Sequence, residues 1–401
     1  MRTASLRDLA ADGHLIYSDG YRTKKAELAP DGYRIIRVAD VGNDVVRLDS
    51  PDFVGGDRAP QIGVKASEPG DILLTTKGTV GRLAVMPEAP GRSVYSPQLC
   101  FFRIPEGSDL VTGYLKAWLR SPDFWRQAAH SMNNTDMAAY ISLRDLGLMT
   151  LPVLSLPVQR GIAEVLGALD DKIAANDVLR RTAAQLATAR YLVSLLPEMQ
   201  SVAVADACTV LSRGASPRYT EDAAAMLVLN QKCIRGGKVD LAPARRTEPD
   251  RVRADTVLQV DDVLVNSTGM GTLGRVAAWD RAGVATVDSH ITIARPDPRV
   301  VDPAVFGVAL MEMQSEIEGL AEGSTGQTEL SRQQLGALVV PLPARSWQGD
   351  LGSLVRSLSK RSLAAAEESR QLAALRDALL PELMSGRLRV KDAEKTVEEV
   401  V

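Results

Sequence analysis

The chain has 401 residues, 45% hydrophobic and 24% charged, a balance that suits a globular protein with room for two or more domains. Its three cysteines and three histidines form no CxxC pair or ligand spacing, so neither a disulfide framework nor a metal site is readable. A formal net charge of −3 argues against a protein that wraps nucleic acid unaided, because phosphate neutralisation calls for a basic surface, and it points to a partner that supplies positive charge.

From Met1 to about Leu151 the residues predict short strands broken by turn signals. Ile35 to Val38 is strand-like, Gly70-Asp71 opens Ile72 to Thr75, and Gln98 to Ile104 forms a third apolar run. Asp109 to Trp125 then predicts helix with a break at Ser121-Pro122. No apolar run is long enough to span a bilayer, and Met1 to Leu15 lacks the apolar core of a signal peptide, so a cytoplasmic location without membrane contact is expected.

Val158 to Pro197 predicts a single long helix. Apolar residues recur at Ile162, Leu166, Leu169 and Ile173, then at Leu179, Leu186 and Val193, in steps of about three, four or seven, the period of one helix face. With only Gly161 and Gly167 as weak points, a helix of roughly 40 residues and about 55–60 Å is allowed. The pattern returns from Trp347 to Pro381, with Leu351, Leu354, Leu358, Ala365, Leu372, Leu375 and Leu379 on one stripe. Measured from entry glutamine (Gln159, Gln348) to exit proline, the first helix is a few residues longer than the second.

The modules before the helices repeat as well, at a distance of roughly 190 residues that fits a duplicated domain better than a solenoid. Asp71-Ile72-Leu73-Leu74 is echoed by Asp262-Val263-Leu264-Val265, and Gly78-Thr79-Val80-Gly81-Arg82 by Gly271-Thr272-Leu273-Gly274-Arg275. The expected organisation is α+β: a module over 1–152, a spacer helix over 153–197, a second module over 198–343, a second spacer helix over 344–386, and a flexible tail over 387–401. Two long apolar stripes bury each other most simply as an antiparallel coiled coil, with Ile162, Leu166, Leu169, Ile173 and Leu186 facing Leu351, Leu358, Leu372, Leu375 and Leu379.

In this order of parts the chain resembles the specificity subunit of type I restriction-modification systems, over nearly its whole length. The resemblance is carried by the duplication, by Leu169-Asp170-Asp171-Lys172-Ile173 early in the first helix, by Gly323-Ser324-Thr325-Gly326 before the second, and by Leu379-Leu380-Pro381-Glu382-Leu383 near the end. At the corresponding place the second helix has Leu358-Ser359-Lys360-Arg361-Ser362, a departure from the pattern. The resemblance implies two target recognition domains that each read half of a split sequence in double-stranded DNA. It implies a helical spacer that docks two methyltransferase subunits and, through the complex, restriction and translocase subunits. S-adenosylmethionine, ATP and Mg²⁺ would then belong to those partners, with none in this chain.

The DNA-contact candidates follow from the chemistry of readout, in which cations hold phosphates and hydrogen-bonding side chains reach base edges. They are Thr76, Lys77 and Arg82 at the first glycine turn, and Asn266, Ser267 and Arg275 at the second. Ser212, Arg213, Ser216 and Arg218 form a basic segment, and Asn133, Asn134 and Gln327 lie in polar turns at matching places in the two modules. The glycine turns are open to two readings: a backbone that closely approaches phosphate, or a tight structural turn.

Gly269-Met270-Gly271-Thr272-Leu273-Gly274 also fits G-x-G-x-x-G, but the residues after it predict a strand where a dinucleotide site needs a helix. The sequence has no Asn-Pro-Pro-Tyr or Asp-Pro-Pro-Tyr run and no P-loop, so the chain is expected to be non-catalytic. The rival reading is a coiled-coil adaptor without nucleic acid binding.

Overall fold

The computed structural model describes residues 2–88, 91–131, 140–281, 283–320 and 329–400. The chain divides into two compact units, one made of Met1–Ala174 with Ser369–Val401, the other of Ala175–Glu368.

In the first unit, an antiparallel sheet has the order Ile16–Asp19, Leu99–Arg103, Ile72–Thr75, Leu83–Val85. Its strand Ile72–Thr75 is buried along its whole length. Ile72 and Leu74 face a core that contains Phe102, Trp118 and Phe124, while Leu73 faces a second core with Tyr95 and Phe101. Burial on both faces explains why this strand is a continuous apolar run rather than an alternation. A second four-stranded sheet has the order Leu28–Ala29, Phe53–Val54, Tyr33–Ile36, Arg92–Tyr95, with the last pair parallel. The strand Arg2–Ser5 pairs with Thr150–Val153 and so fixes the segment that leads into the first long helix. Thr112–Arg120 and Pro122–Ser131 form two helices with the break at Ser121, as the proline predicts.

The second unit repeats this plan. Its sheets have the orders Cys208–Arg213, Ile291–Pro296, Val263–Asn266, Val276–Ala278 and Tyr219–Thr220, Arg245–Thr247, Met226–Leu229, Ala285–Val287, again with one parallel pair at the end of the second. Met199–Ala203 pairs with Val339–Pro343 as Arg2–Ser5 does with Thr150–Val153. Each unit also buries one bidentate ion pair between matched residues: Arg103 with Asp71 at 2.7 Å, and Arg295 with Asp262 at 2.8 Å. These arginines brace the sheets.

The long helices are Leu156–Ser194, with 39 residues, and Arg345–Met384, with 40. The expected difference in length is therefore overturned: Pro381 lies inside the second helix, and the chain continues for most of a turn beyond it. Proline is an unreliable stop here because it follows a long, well-packed helix whose last turn is held by Leu380, Leu383 and Met384 in the core. Each helix is locked to its module by its entry glutamine, both of them buried. Gln159 accepts from the Val111 N–H at 3.0 Å and donates to the Asp109 and Leu154 carbonyls at 2.8 Å. Gln348 accepts from the Asp302 N–H and donates to the Pro343 carbonyl, both at 2.9 Å.

Within the first unit, Ile162, Leu166 and Leu169 share a core with Leu372 and Leu379, and Ile173 and Leu375 pack beside it. Within the second, Ala187 and Tyr191 share a core with Leu351 and Val355, with Leu358 alongside. In each unit the early part of one helix lies against the late part of the other, so they run antiparallel. The assignment of Leu186 to this seam is corrected: it is 42% exposed, as is Leu179. Past Ile173 the buried face passes through Asn176, Ala183, Ala187 and Tyr191, where alanines allow close approach and a larger side chain is not needed. The expected flexible tail over 387–401 is corrected too. It carries a helix, Val390–Glu398, whose Ala393 and Val397 are buried in the first unit's core.

Candidate nucleic-acid interface

The two glycine turns are built alike. In the first, the Thr75 N–H donates to the Arg82 carbonyl at 3.0 Å and the Gly81 N–H to the Thr75 carbonyl at 2.9 Å. In the second, Asn266 N–H to Arg275 carbonyl and Gly274 N–H to Asn266 carbonyl are 2.9 and 2.8 Å. Gly81 and Gly274 hold φ of 103° and 80°, and a Cβ on them would strike Trp125 and Glu318 respectively. Glycine is thus required at both places by the backbone and by the neighbour. The second turn is followed by the strand Val276–Ala278, not a helix, so the G-x-G-x-x-G match lacks the dinucleotide-binding context.

Several candidates prove to be internal braces. Thr76, Asn266 and Ser267 are buried, which corrects their assignment to base edges. The Thr76 hydroxyl donates to the Gln98 carbonyl at 3.1 Å; the Asn266 amide donates to the Gln231 and Thr272 carbonyls at 2.9 and 3.0 Å; the Ser267 hydroxyl meets the Thr292 hydroxyl at 2.5 Å. Arg82 and Arg275 also turn inward. Arg82 donates to the Val38 and Val41 carbonyls at 3.4 and 3.2 Å, and Arg275 to the Gly271 carbonyl at 2.7 Å and to that of Ile234 at 3.5 Å. Of the two readings of these turns, the arginines therefore fit the structural one.

In the basic segment, Ser212 accepts from Arg253 at 2.6 Å, and Arg213 is held by Glu329 and the Leu330 carbonyl. Arg218 pairs with Glu248 at 2.7 Å and Asp250 at 3.3 Å, and Ser216 is exposed without such ties. Asn133, Asn134 and Gln327 lie outside the described residues.

Lys77 faces open space. It lines a cleft of about 430 Å³ in the first unit together with Arg22, Lys24, Lys25, Arg37 and Gln98, and no lining residue is acidic. Gln98 was not singled out by sequence reasoning. Its place in the repeat shows only in the backbone, where the N–H of Thr76 donates to the Gln98 carbonyl as that of Ser267 does to His290, at 3.0 and 2.8 Å.

Asp170 of the Leu-Asp-Asp-Lys-Ile pattern points into the first unit, where Lys116, Arg120 and Arg376 bond its carboxylate at 2.9, 2.7 and 2.9 Å. Burial pushes that carboxyl up, but the surrounding cations outweigh it and hold it below the usual carboxylate range. On the outer side of the same helix, in the second unit, Leu179, Leu186 and Val193 form an exposed apolar row at heptad spacing, beside exposed Val178.

The crystal structure of a type I restriction-modification S subunit from M. genitalium is similar over 95% of this chain and 95% of that one, at 16% identity and a TM-score of 0.54. The chain has the fold of that S subunit. An HsdS subunit from Thermoanaerobacter tengcongensis matches 96% of this chain and 97% of its own at 16% identity, with a TM-score of 0.37. A chain from the type I R-M system, described for its complex assembly and conformational transition, matches 96% of this chain and 98% of its own at 16% identity, with a TM-score of 0.40. No protein-family model matches the sequence, and no curated protein matches it. Among the described residues no helix is long and apolar enough to cross a membrane.

Proposed function

We propose that this chain is a non-catalytic DNA-specificity subunit that reads a bipartite duplex target, one half with each unit, and docks adenine methyltransferase subunits. The observation that carries the reading is the duplication itself: two modules of one topology, each locked by a buried glutamine to a long helix. A duplicated reader suits two half-sites separated by unread bases, as paired DNA-binding modules do generally. The carboxylate-free basic cleft supports contact with phosphates in the first unit. The exposed row Leu179, Leu186 and Val193 supports docking of a methyltransferase helix on the outer side of the spacer, since apolar side chains at heptad spacing suit the stripe of a partner helix. S-adenosylmethionine, ATP and Mg²⁺ are assigned to the partners, and the complex to the cytoplasm. Restriction and translocase subunits join through the methyltransferases in this scheme.

The test is selection from a pool of random duplex DNA by the full chain, alone and with its methyltransferase subunit. Enrichment of two short sequences at a fixed spacing is expected with the partner present. A complex that forms but enriches no sequence would favour the adaptor reading instead.

A further inference from the structure

The two units share a plan but differ sharply in charge at matched positions. The match is fixed by the backbone. Gly20 and Gly214 occupy the same place: each N–H donates to the first residue of the neighbouring strand, Leu99 or Ile291, at 3.2 and 3.3 Å. A Cβ on either would collide with the carbonyl of Tyr95 or Val287. From these glycines to the first strand of the second sheet the chain is three residues longer in the first unit: 21–27 before Leu28, carrying Arg22, Lys24 and Lys25, against 215–218 before Tyr219, carrying Arg218. Lys77 and Thr268 also correspond, each forming an isolated bridge to the segment that closes the module, at Tyr140 and Glu329. Gln98 and His290 correspond through the bonds from Thr76 and Ser267.

At these places the first unit carries Arg22, Lys24, Lys25 and Lys77, none with an ion-pair partner among the described residues, around a cleft without carboxylates. The second unit carries a single arginine there, Arg218, and Glu248 and Asp250 neutralise it. At the other matched places it carries neutral side chains. Exposed His290 is joined to half-buried Thr268 at 2.6 Å, and Met270 stands 91% exposed at the tip of the glycine turn. From its closing strand residue to its arginine, that turn spans Asn266 to Arg275, against Thr75 to Arg82 in the first unit, so it is two residues longer and carries Met270 outward.

Building on the DNA-specificity reading, we infer that the two units divide the work of binding. The first unit is the electrostatic anchor, gripping the phosphate backbone of its half-site through Arg22, Lys25 and Lys77. The second reads its half-site with little phosphate neutralisation, through the Thr268–His290 pair and apolar contact by Met270. Such contact suits a thymine methyl or a base step opened by a wedge. Counterion release then belongs mostly to one half of the target.

The experiment measures affinity against salt for the full chain with its methyltransferase subunit, on a duplex carrying its enriched sequence. Arg22→Gln/Lys25→Gln/Lys77→Gln is compared with Met270→Ala/His290→Ala, and thermal unfolding verifies that both variants fold. The slope of log K against log salt should shallow by about 0.9 for each phosphate that is no longer neutralised, so by up to ~2.7 in the first variant, with all sequences weakened alike. The second variant should keep the wild-type slope and lose discrimination in one half-site only. An unchanged slope in the first variant, or an equal loss of slope in both, overturns the division of labour while the wild type still selects a bipartite sequence. A wild-type complex that binds no duplex overturns the DNA reading itself, and this inference with it.

Discussion

Replacing Asp170 by Asn separates a packing role from a docking role for the Leu-Asp-Asp-Lys-Ile pattern. The carboxylate is 12% exposed and holds three cations, from the helix Thr112–Arg120 and from the second long helix, at 2.7–2.9 Å. The amide keeps the shape and removes the charge, which leaves Lys116, Arg120 and Arg376 facing one another. Loss of one partner from a buried ionic group costs about 3–5 kcal/mol, and here Asp44 still pairs with Lys116 and Arg120, which favours the lower end, ~3 kcal/mol. With a urea dependence of about 2–3 kcal/mol per molar, the unfolding midpoint should fall by roughly 1 M.

The pH dependence carries the sign. The folded-state pKa of Asp170 is depressed, so its stabilisation is complete above the unfolded value, about 3.9, and is lost as pH falls through the folded value. The gap between wild type and variant should therefore be full at pH 7 and close only in strong acid. Unchanged urea stability together with lost binding of the methyltransferase subunit would refute this account and make Asp170 a docking residue.

Other expectations follow from the same structure. Arg82→Ala and Arg275→Ala should each destabilise their own unit by about 1–2 kcal/mol through orphaned carbonyls, with the salt slope of DNA binding kept; a shallower slope at full stability would return them to the phosphate backbone. Gln159→Leu and Gln348→Leu should each cost about 2–3 kcal/mol, because buried N–H and C=O groups lose their partners; denaturant unfolding showing wild-type midpoints would contradict the latch. Leu179→Glu/Leu186→Glu should leave thermal stability near wild type and abolish co-purification with the methyltransferase subunit, and retained co-purification would remove that face as the dock.

Much of the fold was legible because its strongest signals are local. The strands Ile72–Thr75 and Val263–Asn266 are short apolar runs behind an acidic turn, and the glycine-arginine turns repeat at one spacing. Both entry glutamines were visible as a coincidence, although their role emerged only with the carbonyls and N–H groups they meet. The seam of the first helix was misread past Ile173 because its true members there, Asn176, Ala183 and Ala187, are polar or small and add nothing to an apolar count. The direction of each cation was beyond a sequence reading, since its partner sits far along the chain: Arg103 meets Asp71, and Arg82 meets Val41. Arg82 and Lys77 lie five positions apart, yet one ties the fold together and the other lines the cleft.

On the proposed function, this chain sets which bases are methylated. Sequencing the methylome of its host with the gene intact, deleted, and shortened by one heptad in the first long helix tests it directly. Methylated adenines are expected at two half-sites with a fixed gap, absent on deletion, and at the same half-sites with a changed gap after shortening. A methylome that is the same in all three strains would contradict it.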